Sequence, residues 1–260
     1  MAARRETRLP QLAAVLLALT QSDLRARYGR GRWRLVKWLL DPFAALGVYL
    51  VLVVFVLDRG GEAPGLSLAC AVVPFQLVIM VVASSMNAVR LRASIVGNMR
   101  FERGLIPLAT VLTETIAFAS ACLLLLGTMV ASGIAPTANA LWLLVFVPLT
   151  ILLSISLAYP CALFGLWFPD LRVFGLSLVR TLFFVAPSLV ALDTVPEPAA
   201  TLLKLNPLSG LFEGFRAALL TGTTPALWQI VVPVAYCAAL GAVFVPLYGR
   251  EQRDFAKVLA

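Results

Sequence analysis

An all-α membrane protein with six transmembrane helices is the fold this sequence predicts, on three observations. There are six long apolar stretches, basic residues gather on alternate sides of them, and the chain is 61% apolar with only 13% charged residues. A soluble globule carries nearer a quarter of its residues as charges, so this chain has too little polar surface to be one. Lys and Arg in successive segments number nine up to Lys37, then one, four, none, one, two and three, with Arg180 inside the fifth stretch. Alternate segments therefore hold 17 against 3. Basic residues stay cytoplasmic during insertion, which predicts a multi-pass protein of the cell inner (plasma) membrane with both termini inside.

The elements follow in order along a single membrane domain, residues 1–260. Residues 1–35 are a cytoplasmic or interfacial segment. Met1–Arg8 is basic and Leu12–Leu19 apolar, as in a signal peptide, but Asp23 and five arginines by Arg34 would resist export. A retained amphipathic helix at the membrane interface is the expectation, with Leu12, Val15, Leu16 and Leu19 on the face that meets the headgroup boundary. A hydrocarbon core of ~30 Å needs about 20 helical residues. The spans, within residues 36–248, then run Val36–Leu57, Leu66–Val89, Leu105–Ser132, Ala140–Phe168, Leu171–Leu192 and Leu227–Tyr248, and residues 249–260 form a cytoplasmic tail.

Breaker residues divide the spans. Thr115–Pro169 holds no charge and is long enough for two crossings, with Ser132–Asn139, rich in Gly, Pro and Asn, as the hairpin between them. Trp33, Trp38 and Trp167 fall near the inner interface and Trp142 and Trp228 near the outer, as an aromatic belt would. Between spans five and six, Ala199–Leu205 and Leu208–Leu220 are too short to cross, yet apolar apart from Lys204, Glu213 and Arg216. They read as two short extracytoplasmic re-entrant helices, with a surface amphipathic loop as the alternative.

Chemistry is constrained mainly by what the sequence omits. It has no histidine, the commonest general base and metal ligand, and Cys70, Cys122, Cys161 and Cys237 lack paired spacing, so no metal site is expected. Asp23, Asp41, Glu102 and Asp170 are isolated, without the acidic pairs a lipid-linked sugar transferase would need. No G-x-x-x-x-G-K-[ST] phosphate loop occurs, so ATP is not cradled here by that device. The +8 charge is placed for anionic headgroups and implies membrane lipid, not nucleic acid, as its partner.

Asp23-Leu24-Arg25-Ala26-Arg27-Tyr28 followed by Leu39-Leu40-Asp41-Pro42 resembles the N-terminal signature of type-2 ABC exporter permeases for lipid-linked polysaccharides. These are the O-antigen (Wzm-like), capsule (KpsM-like) and teichoic acid (TarG-like) group. Phe168-Pro169-Asp170-Leu171-Arg172 is similar to the group's inner turn. Val195-Pro196-Glu197, Leu205-Asn206-Pro207-Leu208 and Glu213-Gly214-Phe215-Arg216 are similar to its extracytoplasmic signature. Gly31-Arg32-Trp33-Arg34 and Lys37-Trp38 depart from the group's usual Ser-x-Leu-Gly run and make the inner mouth more basic. That suits an anionic diphosphate-linked substrate, and lipid headgroups equally.

The resemblance implies a non-enzymatic transport subunit that works as a homodimer with two copies of a separate ABC ATPase. It binds no cofactor itself, because ATP and Mg reside on the partner, and it moves a lipid-linked glycan from the cytoplasm across the inner membrane. A type-2 ABC drug or lipid exporter is the alternative. It also implies that the loop Arg92–Gly104 docks on the ATPase, through Ile95, Met99, Arg100, Phe101, Glu102 and Arg103. Substrate-path candidates are Arg27, Tyr28, Arg32, Tyr49 and Arg180. Of the aromatics Phe43, Tyr49, Phe55, Phe174, Phe183 and Phe184, only Tyr49 is kept as a pore residue, since Phe43 and Tyr49 do not share a helix stripe. Glu114 and Arg180 each lie about nine residues inside a span, at equal depth and opposite sign, and form a candidate intramembrane pair.

Overall fold

The charge-free run turns back where its breakers predict. In the computed structural model, which describes residues 8–29, 44, 47, 64–98, 101–131, 133–189 and 191–259, a helix ends at Ala131 and Gly133 takes a left-handed φ of 73°. Gly133 N donates to Val130 O and Ile134 N to Met129 O, the paired bonds of a Schellman cap. After Pro136 the chain re-enters a helix through a 3₁₀ turn, Ala138–Trp142.

Among the described residues every regular element is a helix, and there are no strands. In order the helices are α1 (Arg8–Tyr28), α2 (Pro64–Leu91), α3 (Ala93–Asn98), α4 (Leu105–Ala131), α5 (Leu143–Trp167), α6 (Leu171–Val185), α7 (Ala199–Leu203), α8 (Pro207–Arg216, continued as a π-turn to Thr221), α9 (Trp228–Glu251) and α10 (Phe255–Leu259). Four of them, α2, α4, α5 with its 3₁₀ lead-in, and α9, are long and apolar enough to cross a membrane. They correspond to the expected spans two, three, four and six. The expected first span, Val36–Leu57, lies outside the described residues apart from isolated positions.

Contacts between helices sort the bundle into two ends. Asn139 Nδ2 donates to Gly222 O, which joins the lead-in of α5 to the turn between α8 and the start of α9, and Tyr159 packs edge-on against Tyr248 towards the other ends of α5 and α9. These two helices therefore run in parallel. Arg90 donates to Leu166 O and Arg216 to Ser67, so α2 runs with α5, while α4 starts at the Tyr159 end and returns. The segments 92–98, 101–104 and 168–170 and the tail after Glu251 all meet at one end, and it is the end that carries most of the described arginines.

α2 is the most enclosed of the long helices and α9 the least. Ala69, Cys70, Ala71 and Val81 are fully buried, and α5 crosses α2 so closely that a Cβ on Gly165 would collide with the Met86 backbone. Helix-internal prolines at 74, 148, 160, 233 and 246 are accommodated, as is common where neighbouring helices satisfy the freed carbonyls.

Two expectations change. α6 stops at Val185, seven residues before the expected Leu192. Ala186 precedes Pro187 and takes an extended ψ of 159°, because the proline ring clashes with a helical neighbour on its N-terminal side. At 15 residues α6 is about 22 Å long. In α1, the face formed by Leu12, Val15, Leu16 and Leu19 packs on Leu105, Ala109 and Phe101, so it meets protein where headgroup contact was expected.

The two short helices form where predicted. Asn206 caps α8 by accepting from Leu208 N at 3.0 Å, with Pro207 at the first helical position, and its amide also donates to Leu182 O at 2.9 Å. Before α7, the Glu197 carboxylate is held below its usual range by the Thr201 hydroxyl and by Lys204.

Candidate functional site

Side chains of one face of α2 set out the site. Val72, Gln76, Met80, Ser84, Asn87 and Leu91 recur at helical spacing and flank two adjoining cavities. The stripe is about 28 Å long, close to a hydrocarbon thickness. Near the basic end, a cavity of about 580 Å³ opens between α2, α1 and α4, lined among others by Asp23, Arg27, Ser84, Asn87, Arg92 and Glu114. Further along, a groove of about 330 Å³ lies between α2 and α6 and contains Arg180.

Glu114 is buried at 3% exposure, and its partner is Arg27. Arg27 Nη1 donates to Oε1 at 2.5 Å and to Oε2 at 2.6 Å, and Ser84 Oγ donates to Oε1 at 2.6 Å. The expected pair with Arg180 is thus replaced. The reason is the path of α1, which advances alongside α4 from Leu19 at Leu105 to Arg27 at Glu114 and so brings a cation to that depth. Arg180 is exposed in its groove and has no hydrogen-bond or ion-pair partner among the described residues.

Four residues earlier on α1, Asp23 pairs with Arg92, which also donates to Ala88 O at 2.9 Å. Burial pushes the Asp23 carboxyl above its usual range, against the opposing pull of Arg92. Arg92 opens the loop expected to dock on an ATPase, so that loop is tied directly to α1.

The loop itself is braced from beneath. Arg103 donates to Val96 O and Gln252 O, Tyr159 to Gly104 O at 3.2 Å, and Tyr248 to Arg103 O at 3.2 Å, over a fully buried Phe255. Of the expected docking residues, Ile95 and Phe101 are half-buried against α1 and α4, Arg103 is turned inward, and Glu102 is exposed. Met99 and Arg100 lie outside the described residues. On the substrate-path side, Arg27 and Arg180 flank the α2 stripe and Tyr28 closes α1, while Arg32 and Tyr49 lie outside the described residues. Sequence reasoning missed Ser84, Asn87, Tyr159, Tyr248 and Gln252. Asn87, whose Oδ1 accepts from Arg172 Nη1 at 2.9 Å, carries the inner turn before α6. A polar residue within an apolar span was the only available signal for Ser84 and Asn87.

No protein-family model matches the chain. It is 25% identical over 256 residues to the O-antigen export system permease protein RfbA of Myxococcus xanthus, across 96% of both chains. Two proteins of the same name from Klebsiella pneumoniae are 22% and 21% identical over 264 residues, each across 100% of both chains. With its helices alternating between a basic end and an opposite end, the chain resembles, along its whole length, the Wzm-like permeases of type-2 ABC exporters.

Proposed function

We propose that this chain is the membrane-spanning subunit of an ATP-driven exporter that carries a lipid-linked polysaccharide of the O-antigen class from the cytoplasm across the inner membrane. The observation that carries the reading is the end-to-end similarity to permeases named for O-antigen export. In this reading residues 36–57 make the first crossing, α6 the fifth, and the basic end faces the cytoplasm. α7 and α8 sit in the outer leaflet. Two copies of the chain assemble with two copies of a separate ATPase, which holds ATP and Mg.

The coupling route follows from the braced loop. An ATPase pressing on the surface around Glu102 moves a segment fixed to α1 through Arg92 and Asp23, and α1 is in turn fixed to α4 through Arg27 and Glu114. Displacement at the loop therefore shifts one wall of the α2 cavity. The chain purified alone should hydrolyse no ATP above background, and hydrolysis should appear only with its partner ATPase. Glu102→Lys, exposed and outside the core, should abolish export while leaving membrane insertion intact. Wild-type export by that variant would rule out docking at this surface.

Topology has its own test. In a background lacking the four native cysteines, Thr137→Cys and Thr223→Cys should react with impermeant thiol reagents added outside, and Gly97→Cys should not. Outside labelling at position 97 would reverse the orientation.

A further inference from the structure

We propose that Arg180 and Gln76 form a binding site for a lipid-borne phosphate group near mid-membrane. Arg180 is nine residues into α6, about 13 Å from its start. Gln76, which shares the groove, sits near the middle of the 28-residue α2. Neither side chain makes a hydrogen bond among the described residues, and both are accessible from the groove.

A cation at this depth is strongly disfavoured against hydrocarbon and almost always meets an anion or water. A protein carboxylate is the first candidate, and the acidic inventory argues against one. Of the acidic residues well inside the described bundle, Glu114 is taken by Arg27 and Glu213 by Arg216. Asp170 and Glu251 sit at the basic end, at the start of α6 and the end of α9. A second copy of the chain therefore brings, from these helices, no uncommitted carboxylate to the level of Arg180. The guanidinium fork matches phosphate oxygens, and the Gln76 amide adds a neutral donor.

The rest of the groove suits what a lipid-borne phosphate is attached to. Phe75 and Phe183 stack with centroids 4.2 Å apart, Phe184 meets Phe183 edge-on, and Val72, Ile79 and Met80 complete an apolar wall. Such a surface accepts an isoprenoid or acyl chain, or the C–H face of a sugar. The phosphate belongs either to the glycan's lipid carrier, which rests on the exporter reading, or to a bilayer phospholipid.

The test uses the full chain, without an ATPase, in phosphatidylcholine nanodiscs with radiolabelled farnesyl diphosphate as the probe. Binding should saturate, and Arg180→Gln should weaken it by on the order of tenfold or more. Arg180→Lys should retain most of it, Gln76→Leu should weaken it a few-fold, and Lys204→Gln should match wild type. Competition by dioleoylphosphatidylglycerol as strong as by unlabelled probe would assign the phosphate to bilayer lipid, and its absence would assign it to the lipid-linked substrate. Unchanged affinity in folded Arg180→Gln, equal binding of farnesol, or equal competition by inorganic diphosphate would overturn the site. Because the assay contains no ATPase, its failure leaves the exporter reading standing, and that reading fails separately if no ATPase-dependent export is found.

Discussion

Replacing Arg216 by methionine should lower the apparent melting temperature of the detergent-solubilised protein by on the order of 10 °C. Arg216 is 2% exposed, and it is the largest fully buried side chain among the described residues. Its guanidinium donates to Pro187 O at 2.5 Å, Ser188 O at 2.8 Å, Ser67 O and Oγ at 3.2 and 3.0 Å, and Glu213 Oε1 at 2.7 Å. One side chain thus ties α8 to the start of α2 and to the segment that follows α6. Removing one partner of a buried ion pair costs about 3–5 kcal/mol, and for a chain of this size each kcal/mol shifts melting by roughly 2–4 °C.

Methionine fills the volume, so the loss would come from the groups left behind. Glu213 would keep only the Leu192 amide, at 3.1 Å, among its present donors, and the carbonyls of Pro187 and Ser188 would lose the guanidinium. For that reason the double variant Arg216→Met, Glu213→Gln should recover little, although neutralising both members of an ion pair often restores stability. Lysine should also fail, because a single ammonium cannot point along the fork's separate directions. A melting temperature within 2 °C of wild type for Arg216→Met would show that the clamp contributes little. Since the same segment follows Phe183 and Phe184 on α6, loss of the clamp should also loosen the groove around Arg180.

How much of this was legible depends on whether the deciding force is local. Hydropathy and breakers set the ends of α2, α4, α5 and α9 closely, because each rests on residues adjacent in sequence: Gly133 with Pro136 for the hairpin, Asn206 with Pro207 for α8. The early stop of α6 was also written locally, in Ala186-Pro187, but the apolar run continues past it to Leu192 and masked the break. Partners were not legible. Glu114 and Arg180 share a depth, and depth is all that span counting yields, whereas Arg27 is 87 residues from Glu114 and sat on a helix expected to stay level with the headgroups. The apolar face of α1 was recognised correctly, but amphipathicity does not say whether lipid or protein covers it. The docking loop shows the same limit, since alternation of Ile95, Val96 and Phe101 with polar residues fits a partner's groove or the chain's own core, and the described contacts place these three inward.

Arg27→Gln should destabilise the protein by about 3 kcal/mol, more than Glu114→Gln does. The asymmetry follows from burial, for the Glu114 side chain is 3% exposed and that of Arg27 is 32%. Without Arg27 the carboxylate remains inside with Ser84 as its one remaining described donor, and must become protonated or draw in water. Without the Glu114 charge, the guanidinium still reaches water, and the new amide oxygen can accept from both Arg27 and Ser84. The double variant should therefore resemble Glu114→Gln alone, far short of the sum, and Arg27→Glu combined with Glu114→Arg should recover part of the loss. Combining Glu114→Gln with Arg180→Gln should instead give additive effects, since no contact joins that pair. If Arg27→Gln and Glu114→Gln prove additive while Glu114→Gln and Arg180→Gln do not, Glu114 answers to α6, and α1 is not the element that holds the cavity wall in place.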